Sequence, residues 1–430
     1  MVEIIKSKKR LKQFLEDISN RGQFFDDEIE KSVQNILNDV KENGDSACLK
    51  YTKQFDRVVL NENEVPVKKS EIEDAYHQIQ AKTLKAIRKA KSNIEKFHKA
   101  QLKEYFKIET TLGVKVGQLP IPYDSIGIYV PGGRAPYPST VLMTAVPAKI
   151  AGINRIIMTT PPDSNKEIHP AILVAAKESG VDKIYKLGGV QAIAAMAFGT
   201  KLIKKVNKIV GPGNKFVNLA KVLVNREVAI DLPAGPSEIL IIADKYSNPS
   251  FIADDIISQS EHDPDAFSFL ISSSDQLLYE VYGKIFDSLK NYKRKNIIEK
   301  SLKNNCYLIL SKDINQMFEI SNTIAPEHLE IHLKDYNRYI PLIKNAGAVF
   351  IGEFSPVPIG DYAAGSNHVL PTGGQSRIYS GLSIHDFVKY VNVVECSKKG
   401  LKNLKKSVIE LADIEGFDAH KKTILGRLEE

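Results

Sequence analysis

Through roughly the first 110 residues the apolar positions fall three and four apart among many lysines and glutamates, the spacing of amphipathic helices. Residues 72–101 carry that spacing most clearly, so the region reads as helices and as scaffold. From Ser125 the texture changes to short β-branched runs that alternate with Ala-rich helical stretches and glycine breaks. Strands are predicted at 126–130, 155–159, 183–187, 208–210 and 228–232, with helices around 142–150, 170–179, 191–198 and 216–224 between them. Such alternation builds a mainly parallel sheet covered by helices on both faces, a Rossmann-like α/β arrangement. The pattern then restarts, with strands predicted at 239–243, 267–272, 307–310, 329–333 and 348–351, a second α/β unit joined to the first by shared architecture and by no residue-level repeat. After about Gly381 the chain turns polar and is predicted helical, closing on a Gly416-Phe417-Asp418 turn and a helix at 419–428 with Asp418 as its N-cap. A tail of that kind suits contact with a neighbouring subunit.

Composition narrows the class. At 430 residues, with 43% hydrophobic and 26% charged positions, the chain can bury a large core and divide into two or three domains. No apolar run approaches the roughly 18 residues of a spanning helix. Pro147 and Lys149 interrupt the best stretch, 141–152, so no membrane partner is expected. The first 17 residues mix Lys, Arg and Glu with isolated apolar positions and lack a secretory leader's apolar block. Cys48, Cys306 and Cys396 lie far apart and form no CxxC pair, which fits free thiols in the cytoplasm. The net charge of +7 is carried by lysines spread over solvated faces, which speaks against a nucleic-acid groove.

Candidate chemistry gathers late in the chain, where six of the nine histidines follow residue 260. Gln259 and His262 stand three apart on a helix announced by Asn248, Pro249 and Ser250, so one helix face can offer both to one ion. Asp361 follows Pro358, Ile359 and Gly360, residues that suit a backbone wrapped close around a ligand. His420 begins the last helix beside Asp418. Taken singly, each has a plainer role as surface residue, turn former or first-turn histidine. Taken together, two imidazoles, one carboxylate and one amide oxygen leave a divalent cation net positive, able to draw neutral nitrogen donors from a substrate. Zinc suits that mixed set best, and manganese or cobalt could substitute.

Glu327 and His328 follow Ala325-Pro326, where proline forces a turn or a helix start, so an adjacent carboxylate and imidazole can converge on one site as a proton-transfer pair. Capping by Glu327, with His328 packed on the surface, is the other reading of the same fragment. Glycine-rich segments follow two predicted strands, at Tyr129-Val130-Pro131-Gly132-Gly133-Arg134 and at Gly211-Pro212-Gly213-Asn214, the usual place for nucleotide contacts. Phe216 occupies the third glycine position, so the standard GxGxxG fingerprint is absent. The residues alone thus describe an α/β enzyme with a candidate metal and nucleotide site.

The ordered motifs go further. Ile128-Tyr129-Val130-Pro131-Gly132-Gly133, Val210-Gly211-Pro212-Gly213-Asn214, Asp231-Leu232-Pro233-Ala234-Gly235-Pro236-Ser237-Glu238, Glu261-His262-Asp263-Pro264 and Ala325-Pro326-Glu327-His328-Leu329 occur in the order seen in histidinol dehydrogenases. The likeness continues through Gly360-Asp361-Tyr362, 365–372 and Glu415-Gly416-Phe417-Asp418-Ala419-His420. The chain resembles that family over nearly its whole length. The resemblance implies NAD-dependent oxidation of L-histidinol, through L-histidinaldehyde, to L-histidine. It implies one zinc per subunit held by Gln259, His262 and Asp361 with His420 from a partner's tail, and hence a homodimer with shared sites. It implies Glu327 and His328 as the proton-transfer pair, with His328 also against substrate. Ser237, His368 and Glu415 join the zinc ligands as substrate contacts, and Tyr129, Gln191 and Asn214 become NAD contacts. The domains it implies are 1–121 with 239–380, carrying zinc and catalysis, 122–238, contacting NAD, and a dimerisation tail at 381–430. With every cysteine outside the motifs, a water route through Glu327 is expected in place of a thioester. The alternative is a zinc and NAD dehydrogenase of the same fold acting on another small alcohol. A non-catalytic metal-binding or nucleic-acid-binding protein is a more distant rival, against which the Glu327 and His328 pair argues.

Overall fold

The computed structural model describes residues 2–19, 21, 27–132, 135–233, 235–289 and 292–428. Gly133, Arg134 and Ala234 of the segments above lie outside the described residues. The chain opens with β1 (Glu3–Ile5) and α1 (Lys8–Ser19), then α2 (Asp27–Asn43), α3 (Asp45–Tyr51), α4 (Lys69–Gln78) and α5 (Ala81–Lys99). A hairpin, β2 (Phe106–Thr111) and β3 (Val114–Pro122), leads into the first parallel sheet.

That sheet holds β4 (Ser125–Tyr129), β5 (Arg155–Thr160), β6 (Lys183–Lys186), β7 (Lys208–Val210) and β8 (Ala229–Ile230), alternating with α6 (Pro138–Ile150), α7 (Pro170–Ser179), α8 (Gly189–Phe198) and α9 (Lys215–Leu223). The spatial order β6-β5-β4-β7-β8, all parallel, reverses direction between β4 and β7. In open α/β sheets the crevice outside the carboxyl ends of the strands at such a switch point takes the ligand. Helices α8 and α9, backed by α2 and α3, cover one face, while α6 and α7, backed by α4 and α5, cover the other.

The second sheet interleaves β9 (Glu238–Ala243), α10 (Pro249–Ser260), β10 (Phe267–Ser272), α11 (Asp275–Ser288), α12 (Lys295–Asn305), β11 (Cys306–Leu310), α13 (Ile314–Ile324), β12 (His328–His332), β13 (Ala348–Ile351) and α14 (Val357–Tyr362). Its order is β1-β11-β10-β9-β12-β13, again all parallel. Helices α10, α11 and α12 pack on one face and α1 with α13 on the other. The chain ends with β14 (Val388–Cys396), α15 (Lys398–Ile414) and α16 (Asp418–Leu425). The mixed α/β class with mainly parallel sheets and a helical N-terminal region is therefore as the sequence predicts.

Three local expectations are corrected. The tail is not wholly helical: β14 runs antiparallel along β3, from Val388 opposite Pro122 to Cys396 opposite Val114, and completes a three-stranded sheet. The N-terminal region is not wholly helical either, since β1 forms an edge of the second sheet. The helical spacing of residues 72–101 is divided between two helices, because Ile79 is extended and separates α4 from α5. The break lets α4 lie on α7 while α5 crosses to α6, two contacts that one straight rod could not make. Asp418 is not an N-cap; it is the first helical residue of α16, and Phe417 precedes it without a side-chain cap.

Candidate active site

The chemistry-bearing residues collect at the amino ends of β9, β12 and β13. Residues 238–239, 327–328 and 347–348 lie side by side there, with His328 opposite both Ile239 and Ala348. Ala325 closes α13 in the left-handed conformation at φ 53°, and Pro326 then sends the chain straight into β12. The segment is thus a helix end joined to a strand start. That turn buries Glu327 and His328 at 6% and 4% exposure, so neither rests on the surface as a cap would.

Glu238 holds both. Its backbone N–H donates to Glu327 Oε2 at 2.8 Å, and its carbonyl lies 2.9 Å from His328 Nδ1. A carbonyl only accepts, so Nδ1 carries the hydrogen and Nε2 is left with its lone pair. Nε2 has no hydrogen-bond partner among the described residues and lies 3.7 Å from Asp361 Oδ1. Burial, outweighing the Glu238 carbonyl, lowers the His328 imidazole to about 3, with His262 and His368 pushing the same way. Burial raises the Glu327 carboxyl well above the carboxylate range against the opposing pull of the Glu238 N–H. A neutral imidazole with a bare nitrogen, beside a carboxyl of raised proton affinity, is an arrangement able to exchange protons with a substrate.

Asp361, His368 and His262 lie near this pair, and other predicted residues lie on neighbouring segments. Asp361, near the end of α14, is pushed up to about 7 by burial, and its carbonyl accepts from His368 Nδ1 at 2.9 Å. Burial lowers the His368 imidazole to about 4. Gln259 is buried near the end of α10, a helix capped by Asn248 and started by Pro249, and its Nε2 finds no partner. His262 lies past the end of α10, in the turn at 261–262, so it does not share a helix face with Gln259 as the three-residue spacing predicts; the residue keeps exposed surface, yet desolvation by the groups around its ring holds the imidazole below the ordinary value. Ser237 sits half-buried just before β9. Glu415 and His420 are exposed, His420 stacked on Phe417 at 5.0 Å, and no hydrogen bond or ion pair among the described residues joins either to the cleft of its own chain.

The predicted nucleotide contacts line the other sheet. Tyr129 ends β4 and accepts the Gly189 N–H through its hydroxyl at 3.1 Å. Gln191, in the first turn of α8, is fully buried with both amide atoms unpartnered. Asn214 caps α9, accepting from the N–H groups of Phe216 and Val217. Tyr129 at the carboxyl end of β4 and Asn214 just beyond that of β7 flank the switch point, and Gln191 follows β6, two residues after the Gly189 N–H that reaches Tyr129.

Several residues of the site were not singled out in the sequence. Glu238 and its buried partner Arg21 are one pair. A second group is Asp255, Glu330 and His332, whose metal-capable atoms lie within 4.8 Å of one another. The alternation of His328, Glu330 and His332 along β12 was its only signal, since residues two apart share a strand face. Lys221 and Asp231 form a third buried group, an ion pair that also binds both ends of Gly211: Lys221 donates to its carbonyl at 2.9 Å and Asp231 accepts its N–H at 2.7 Å.

Comparison with known proteins bears on the chain as a whole. A family model described as histidinol dehydrogenase matches residues 19–428. A histidinol dehydrogenase of Methanosarcina mazei is 48% identical over 398 residues, 92% of this chain and 91% of that protein. One of Methanocaldococcus jannaschii is 47% identical over 428 residues, 99% of each. The crystal structure of histidinol dehydrogenase from Elizabethkingia anophelis superposes with a TM-score of 0.95 at 39% identity, covering 100% of this chain and 98% of that one.

Proposed function

The chain belongs to the histidinol dehydrogenase family, and from that premise we propose that it oxidises L-histidinol through L-histidinaldehyde to L-histidine, with NAD as electron acceptor and zinc in the site. The observation that carries this reading is the His328 imidazole, fixed at Nδ1 by the Glu238 carbonyl and bare at Nε2 beside Asp361. This is the last step of histidine biosynthesis, a cytoplasmic task, and no helix among the described residues is long and apolar enough to cross a membrane.

The donors present suit a divalent cation. Gln259 has an unsatisfied amide end, Asp361 is a carboxyl that burial makes costly to ionise without a positive neighbour, and the nearby imidazoles are held neutral by burial. Gln259, His262 and Asp361 would hold zinc, with His420 reaching in from the partner subunit's tail. Bound there, the ion supplies a Lewis acid with charge left over to anchor the substrate's own nitrogen donors. Gln191, Tyr129 and Asn214 would hold NAD, which supplies the hydride acceptor; the two unpaired amide atoms of Gln191 suit that task.

The chain's own groups do the rest. Ser237 and His368 line the cleft, and Glu415 approaches with His420 from the partner. His328 Nε2 takes the hydroxyl proton as the carbinol carbon is oxidised. Glu327 takes a proton from the water that adds to the aldehyde, and the hydrate is then oxidised in turn. Thiol chemistry is disfavoured, because burial pushes the thiols of Cys48 and Cys306 up to about 12 and Cys396 lies exposed on β14. Residues 1–121 with 239–380 would carry zinc and catalysis, 122–238 the NAD contacts and 381–430 the dimer contact. Exposed apolar side chains on the three-stranded sheet and α15, among them Ile108, Val394, Leu411 and Ile414, suit burial between two copies.

The test is NADH formation from L-histidinol before chelation, after chelation and after zinc is restored. Loss and recovery are expected; a zinc-loaded protein that forms no NADH from histidinol would overturn the proposal.

A further inference from the structure

Arg21 lies just beyond α1 and Glu238 begins β9, 217 positions apart in the chain, yet they form a forked ion pair with side chains 4% and 1% exposed. Arg21 Nε and Nη2 meet the two Glu238 oxygens at 2.7 and 2.9 Å. Two further donors of the guanidinium are used: Nη2 reaches the Ile324 carbonyl at 2.7 Å and Nη1 the Ile18 carbonyl at 3.0 Å. Glu238 Oε1 further accepts the Gly373 N–H at 3.0 Å. Arg21 therefore grips two points on either side of the catalytic turn: Glu238, whose peptide groups bind Glu327 and His328, and Ile324, the last residue before the left-handed Ala325.

We propose that the Arg21 fork is a positioning device for proton transfer, locking the Glu238 backbone so that its N–H holds Glu327 while its carbonyl fixes His328 with Nε2 facing the substrate. A buried ion pair adds little net stability over an apolar pair of similar volume, because desolvation offsets most of its attraction. What a planar fork does supply is direction, since two parallel N–H groups fix the carboxylate plane and a lysine ammonium does not. With the Glu238 side chain held at both oxygens, its Cα is anchored, and turning of either flanking peptide, the one that binds Glu327 or the one that binds His328, is opposed. Displacements near 1 Å at a reacting centre cost on the order of 100-fold in rate, so a loosened Glu238 peptide acts on turnover more than on substrate binding.

The inference rests on the reading of Glu327 and His328 as the proton-transfer pair, and the experiment separates the two. Zinc-loaded wild type, Arg21→Lys, Arg21→Gln, His328→Gln and Arg10→Gln are compared. Arg10 is the control, because its fork to Glu3 ties α1 to β1 away from the cleft. Measured for each are kcat, KM for histidinol, zinc content, melting temperature and the imidazole 15N spectrum of His328. Arg21→Lys is expected to lower kcat by about 10-fold or more, with KM and zinc content near wild type, and to give His328 a mixture of tautomers in place of one. Arg10→Gln is expected to lower the melting temperature and leave kcat alone. Wild-type kcat and a single tautomer in Arg21→Lys would overturn the positioning role, whether or not Arg21→Gln folds. Wild-type turnover in His328→Gln would instead overturn the proton-transfer reading beneath it.

Discussion

Asp255 on α10 faces Glu330 on β12 within hydrogen-bonding reach, a carboxyl pair enclosed between helix and sheet with His332 beside it. Glu330 spends Oε1 on the Val357 N–H at 2.9 Å, and its Oε2 has no conventional donor. A proton shared with Asp255 resolves that conflict, and burial together with the negative neighbours Glu330 and Asp254 pushes the Asp255 carboxyl from 3.8 up to about 8. The sign follows from proton linkage: the folded protein keeps a proton that the unfolded chain gives up above about pH 4, so the stabilisation is complete in acid and is lost as pH rises through the folded value. Asp255→Asn keeps a donor and cannot ionise. Its melting temperature is expected to fall less than that of wild type between about pH 5 and pH 8. Parallel profiles for the two proteins would show that Asp255 holds no such proton.

Glu327 and His328 differ in what each can lose. His328→Gln removes the bare nitrogen that takes the hydroxyl proton, and turnover of histidinol is expected to fall by about 10² to 10⁴-fold. Glu327→Gln keeps an acceptor for the Glu238 N–H but cannot take a proton from water. It is expected to lose aldehyde oxidation by a comparable factor while retaining more of the first oxidation, seen as one equivalent of NADH per histidinol in place of two. Equal losses in both half-reactions would remove the assignment of water activation to Glu327.

The ten strands of the two parallel sheets other than β1 were legible because each is a compact β-branched run bounded by turn residues, as in Ile239-Leu240-Ile241-Ile242. β14 was not, because its side chains alternate Lys, Tyr, Asn and Glu with valine, leave much of its surface exposed and so read as a polar tail. β1 has three residues, too few to show a period. In the site, Glu327 and His328 were visible because side chains carry their chemistry. The role of Glu238 was not, because its peptide N–H and carbonyl perform it, and every residue owns those groups. The Arg21 contact depends on a chain closure that no local pattern encodes. Asp418 was misplaced by a single position, since Phe417 after the left-handed Gly416 already serves as the boundary of α16.

Gly211 stands where β7 meets β4, with φ at 117° and the Tyr129 carbonyl only 2.2 Å from where a Cβ would be. Both the conformation and the contact exclude a side chain. Gly211→Ala must therefore move either the loop held by Lys221 and Asp231 or the end of β4 that carries Tyr129. A stability loss of about 1 to 3 kcal/mol is expected in denaturant titration. NAD affinity, followed by calorimetry, is expected to weaken, and zinc content to stay level because the metal donors lie on the other sheet. Unchanged NAD affinity in a destabilised protein would place the nucleotide elsewhere.

His420 is exposed and stacked on Phe417, and no hydrogen bond or ion pair among the described residues joins it to Gln259, His262 or Asp361 of its own chain. If the tail completes a neighbour's site, His262→Ala and His420→Ala should each be inactive alone yet complement one another. A hybrid dimer of the two contains one site carrying both lesions and one carrying neither. Random reassortment makes half of the dimers hybrids, each with one of two sites intact, so about a quarter of wild-type activity should return after mixed refolding. Zinc should return in the same proportion. Were each subunit to supply its own His420, every site in the mixture would keep one lesion, and both activity and bound zinc would stay at the level of the separate mutants.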